Sequence, residues 1–108
     1  MKGRYKAAFV IPIGTMKVLG EDGWEFEGSG RISSRVKDCL LEALKLKFSE
    51  TYLRIDKYVG SNIQMSVVRD VNDQMQSISF QMHGDALNAL SEVFRVGELG
   101  NESELFIP

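Results

Sequence analysis

Apolar and polar residues alternate with a period of two over much of this chain, and in two places the period lengthens to that of a helix. Tyr5, Ala7, Phe9, Ile11 and Ile13 alternate with Arg4, Lys6, Ala8, Val10 and Pro12. That predicts a strand with one well-buried face and a second face apolar only in its middle. Residues 16–19 and 24–27 flank Gly20-Glu21-Asp22-Gly23, and Asp-Gly is a strong hairpin signal because both central residues must tolerate positive φ. Beyond Gly28-Ser29-Gly30, Ser33 or Ser34 can accept a hydrogen bond from a free amide at a helix start. Val36, Leu40, Ala43, Leu44 and Phe48 then fall at helical spacing, with Cys39, Leu41 and Leu46 widening the stripe, so a helix is predicted over residues 35–48.

Alternation returns over residues 52–59, setting Leu53, Ile55 and Val59 opposite Tyr52, Arg54, Asp56 and Tyr58, and Gly60-Ser61-Asn62 closes that strand. Ile63, Met65 and Val67 mark the inner face of the next strand, and Ile78, Phe80 and Met82 that of the one after it, joined through a polar turn at residues 70–74. Asp85 is a good N-cap for a second helix whose apolar face is Leu87, Leu90, Val93 and Phe94, and Gly97 suits its end. The acidic last stretch finishes on Leu105-Phe106-Ile107-Pro108 and is expected either to add a short edge strand or to remain free. The order is three strands, a helix, three strands, a helix (βββα-βββα). It predicts an α+β fold in which antiparallel sheet packs against two helices, as a single domain over residues 1–108. Repeated units of strands followed by a helix resemble the layout of Whirly and PUR single-strand-binding domains, which have four strands per unit; no motif here matches those families, and no residue roles carry over.

Composition narrows the function classes. The 108 residues are 44% hydrophobic and 26% charged, the balance of a folded globular protein. A net charge of -2 gives nucleic acid or an anionic membrane no general attraction. One cysteine, Cys39, makes neither an internal disulfide nor a zinc site. The basic start and the apolar residues 7–13 invite comparison with a signal peptide, but the run is short, contains Pro12 and lacks a small-x-small cleavage pattern. A bacterial or viral cytoplasm is the expected setting, with no membrane span.

Chemistry-bearing residues are few. His83 is the only histidine, and with Cys39 on a helix's apolar face a Cys–His pair has no sequence signal. Glu25 and Glu27, two apart on a strand, point the same way and could share acid–base work, though exposed alternating glutamates are ordinary on a solvated face. The stretch 28–34 could cradle phosphate at a helix start, but it lacks the third glycine of a dinucleotide fingerprint and the Gly-Lys-Ser/Thr of a P-loop. Asn101-Glu102-Ser103 matches a glycosylation acceptor only formally. The chain is therefore expected to be no enzyme and to need no cofactor or metal.

Charge is distributed unevenly. Residues 1–20 carry four basic and no acidic side chains, residues 21–27 carry four acidic and no basic ones, and residues 98–108 carry three acidic ones. Trp24 lies within the densest acidic cluster. If Trp24 and Phe26 share one strand face, Glu25 and Glu27 share the other, giving a core side and an acidic side; alternatively Trp24 is an aromatic anchor near the hairpin tip, ringed by carboxylates. These features lead to the expectation of a small inhibitor that binds a protein partner, such as a toxin-immunity (antitoxin-like) protein covering a nuclease's basic active site, or a phage anti-defence protein. The expected contact residues are Asp22, Trp24, Glu25, Glu27, Glu102 and Glu104. The competing expectation is single-stranded nucleic-acid binding through the exposed sheet face using Arg4, Lys6, Tyr52, Arg54 and Tyr58, since Lys2, Arg4 and Lys6 alternate onto one face and Tyr52, Arg54 and Tyr58 combine aromatic and basic groups on another. Self-association as a homodimer through residues 105–107 or an open sheet edge is compatible with either.

Overall fold

A computed structural model describes residues 5–108. Among them, the chain forms β1 (Lys6–Pro12), β2 (Met16–Gly20), β3 (Gly23–Glu27), α1 (Ser34–Ala43), β4 (Lys47–Tyr52), β5 (Ile55–Gly60), β6 (Ile63–Arg69), β7 (Met75–Met82), α2 (Ala86–Val96) and β8 (Ser103–Phe106), with a 3-10 turn at Leu99–Asn101. Six strands build one antiparallel sheet in the order β4-β5-β6-β7-β1-β8, while β2 and β3 pair only with each other. The architecture is the α+β arrangement that the periodicity predicts.

One face of the sheet carries the main core. Ala8 and Val10 of β1, Ile63, Met65 and Val67 of β6, and Ile78, Phe80 and Met82 of β7 are buried there with Val36 and Leu40 of α1, Leu90 of α2 and Leu99. Register explains why they meet: Phe80 lies opposite both Ala8 and Met65, and Ile78 opposite both Val10 and Val67, so side chains of one parity form continuous rows. Both helices lie on this side, each contributing one apolar stripe. Ser33 is the N-cap of α1, its hydroxyl accepting the Val36 amide. Asp85 occupies the N-cap position of α2 without a side-chain capping bond, and Gly97 is its C-cap.

The first helix is shorter than its pattern predicts. It ends at Ala43, with Leu44 as C-cap and Lys45 in the left-handed region (φ 55°). Leu44, Leu46 and Phe48 fit a helical stripe, but they also alternate with Lys45, Lys47 and Ser49, and the period of two wins from residue 46 onward. Leu46 is buried against Gly60, where a Cβ would stand only 2.8 Å from a Leu46 methyl. Phe48 belongs to β4, edge-to-face with Tyr58 at 5.7 Å. The strand expected over residues 52–59 is likewise two: Tyr52 pairs with Ile55 across a tight turn at Leu53 (φ 57°) and Arg54. The second half thus holds four strands before its helix, and the C-terminal stretch completes the sheet as β8 beside β1.

Candidate functional site

Among the described residues, the β2–β3 hairpin has no backbone ladder to the main sheet and is held to it by side chains. Phe9 and Phe106, opposite each other on β1 and β8, point away from the helices, since their neighbours Ala8 and Val10 enter the main core. Phe26 packs on Phe9 at 5.0 Å, and Trp24 meets Phe106 edge-on at 4.9 Å. Lys17, opposite Phe26, sits over the Phe106 ring at 5.6 Å and pairs with Glu104 at 2.9 Å. This aromatic box is a second, smaller core on the sheet's other side. Trp24 is therefore half-buried and anchors the hairpin within the molecule.

Anchoring one face of the hairpin presents the other to solvent. Met16 lies opposite Glu27 and Val18 opposite Glu25, on the parity that points away from the sheet, and all four are exposed. Glu21 and Asp22 are exposed at the turn, with Leu19 beside them. Among the described residues, none of Glu21, Asp22, Glu25 and Glu27 enters an ion pair, while Lys17, the hairpin's own cation, is committed to Glu104. The outcome is a ribbon with apolar Met16 and Val18 along one strand and carboxylates along the other. Met16 and Val18 were not among the residues singled out from sequence. The two-residue turn fixes the register and so places them beside the glutamates.

Glu102 and Glu104 do different work from the hairpin carboxylates. Glu102 accepts hydrogen bonds from the Ser33 hydroxyl at 2.8 Å and from the Arg35 guanidinium, at the N-terminus of α1. The Ser33 bond first, then Arg35, holds its carboxyl below the ordinary glutamate value of 4.5. The helix start that could have held a phosphate thus carries a carboxylate from the chain's own C-terminal stretch. Gly30 in the preceding loop has a packing reason as well, since a Cβ there would stand 2.8 Å from the Pro12 ring. Glu104 ties β8 to the hairpin through Lys17. The structure therefore brings Trp24 and Glu104 together around Phe106, sets Asp22, Glu25 and Glu27 on the outer ribbon, and places Glu102 at α1.

The other candidate residues are dispersed. Cys39 lines an apolar groove between the helices with Ala43, Ala89, Val93, Val96 and Gly97, beside the C-terminal half of α2. His83 precedes the N-terminus of α2, edge-on to Tyr5 at 6.3 Å, so most of a helix about 16 Å long separates it from Cys39. Among the described residues, no group of three or more His, Cys, Asp or Glu is placed to hold a metal ion. Of the residues considered for nucleic acid, Tyr52 pairs with Ile55 on the open side of the sheet, whereas Tyr58 pairs with Met65 and Lys6 with Met82 on the helix side. Arg54 is in a turn, and Lys2 and Arg4 lie outside the described residues. Among the described residues, no helix is long and apolar enough to cross a membrane. Compared with known proteins, the chain matches no family model, no curated protein and no solved structure.

Proposed function

We propose that this chain is a non-enzymatic binding protein that inhibits a basic protein partner by laying the outer face of the β2–β3 hairpin over it. The observation that carries this reading is the pairing of Met16 and Val18 with Glu27 and Glu25 on one exposed ribbon whose carboxylates make no ion pair among the described residues. Carboxylates steer a cationic surface into encounter from a distance, and exposed apolar side chains beside them supply contact area once water is expelled. A toxin whose active site is cationic, such as a nuclease, is a partner of the right chemistry, which makes an immunity or antitoxin role the specific form of the proposal. Trp24 then serves as the rigid support behind the contact face.

The test is affinity capture from nuclease-treated host lysate at low and moderate salt, comparing the wild type with a Glu25→Lys/Glu27→Lys variant. A protein held by the wild type, weakened by salt and lost with the variant supports the reading. Equal capture by both proteins, or loss of all bound material on nuclease treatment, contradicts it.

A further inference from the structure

The two edges of the main sheet differ in how open they are. β8 is four residues long, and its Phe106 is already enclosed by Phe9, Phe26 and Trp24. β4 is six residues long, and every one of them is exposed. Around it stand Phe48, Tyr52 and Leu53 at 59%, 67% and 77% exposure. Leu53 is the informative residue. It holds φ at 57°, a conformation that glycine and asparagine adopt more readily, and it projects a large apolar side chain into solvent. Neither the turn nor the core of a single chain calls for leucine there.

We propose that β4 is a homodimer edge, pairing antiparallel with β4 of a second copy of this chain to continue the sheet across a two-fold axis. An axis between Ser49 and Glu50 sets Lys47 opposite Tyr52 of the second copy and Phe48 opposite Thr51. Each pair matches in face: Lys47 and Tyr52 align with Val59 and Ile55 on the open side, and Phe48 and Thr51 with Tyr58 and Asp56 on the helix side. The diagonal neighbours are complementary too. Lys47 lies diagonal to Glu50 of the second copy on the open side, about 7–8 Å apart and within reach of long side chains, with Glu50 also 3.8 Å from Lys57 of its own chain, and Leu53, in the turn just beyond β4, stands at the end of the same seam. Lys47 discourages indiscriminate edge pairing, the two-fold axis falls at the register irregularity between Phe48 and Glu50, and a two-fold contact closes on itself, so the arrangement gives a dimer and no fibre.

Sedimentation velocity over a concentration series tests this. The wild type should pass from the 12.1 kDa chain mass to twice that mass as concentration rises. Leu53→Asn should weaken the dimer about tenfold while leaving the dilute monomer's melting temperature unchanged or higher. Lys47→Glu and Glu50→Lys should each weaken it, and combining them should restore it. A wild type that stays monomeric at every concentration, or a dimer equally tight in Leu53→Asn and Lys47→Glu, overturns the proposal.

Discussion

The two ends of the sheet each carry a short β-hairpin with exposed apolar side chains, yet they are built in different ways. At the β8 end, β2–β3 is fastened to the sheet by an aromatic box and the Lys17–Glu104 pair, with no shared backbone ladder among the described residues. At the other end, β4–β5 belongs to the sheet itself, with β5 laddered onto β6. The first end concentrates carboxylates that make no ion pair among the described residues, whereas the second mixes Lys47, Glu50, Arg54 and Lys57, with Lys57 and Glu50 3.8 Å apart. A ribbon held by side chains can present one whole face to a partner without using its backbone. A sheet edge offers its backbone as well, which suits strand pairing.

The largest effect expected is at the aromatic box. Phe106→Ala removes the ring that Phe9, Trp24 and Phe26 all contact, and should cost about 2–3 kcal/mol in chemical denaturation. Trp24, the only tryptophan, should shift its fluorescence to the red in the folded variant as the hairpin loosens. An unshifted emission would mean that the box does not hold the hairpin. At the opposite end, Leu53→Asn should stabilise the dilute monomer by up to about 1 kcal/mol, because asparagine tolerates the left-handed region better than leucine. Loss of stability there would show that Leu53 packs within its own chain.

Acid should loosen the contacts that Glu102 and Asp70 make. Glu102 and Asp70 both have carboxyls held below their ordinary values: Glu102 by Ser33 and then Arg35, Asp70 by the Gln74 amide and then Arg31. A depressed folded pKa contributes stability that is complete above the unfolded value and is lost as pH falls through the folded one. Thermal stability should therefore decline as pH drops below about 4. Glu102→Gln should flatten part of that decline, and an identical pH profile would remove Glu102 from the account. Smallest of all, Glu25→Lys/Glu27→Lys should change folding stability by less than about 0.5 kcal/mol, as surface substitutions do, so any lost binding is not lost folding.

Much of this was legible in the sequence. Alternation placed β6 and β7 and named Met65, Val67, Ile78 and Phe80 as inward-facing, because one buried side fixes the parity of a strand; it also found β1 but chose the wrong face for the main core, since Ala8 and Val10 are the residues buried there while Tyr5 and Ile13 are exposed and Phe9 packs in the aromatic box on the other side. The same alternation set Trp24 and Phe26 against Glu25 and Glu27. What failed was local and had a local cause: Leu44, Leu46 and Phe48 satisfy both periods, and only the left-handed Lys45 shows where the helix stops. The turn at Leu53-Arg54 carries no glycine, asparagine or aspartate, so nothing in composition divides residues 52–59 into two strands. Glu102 and Glu104 are acidic like the hairpin, but their clamping roles depend on Ser33, Arg35 and Lys17, distant in sequence and close only in the fold.

The most direct measurement is amide hydrogen exchange of the protein alone and with its captured partner. The account predicts new protection on binding over residues 16–27, the outer acidic ribbon, with residues 47–59 unchanged by the partner. New protection confined to residues 47–59, with the ribbon unaffected, would contradict it.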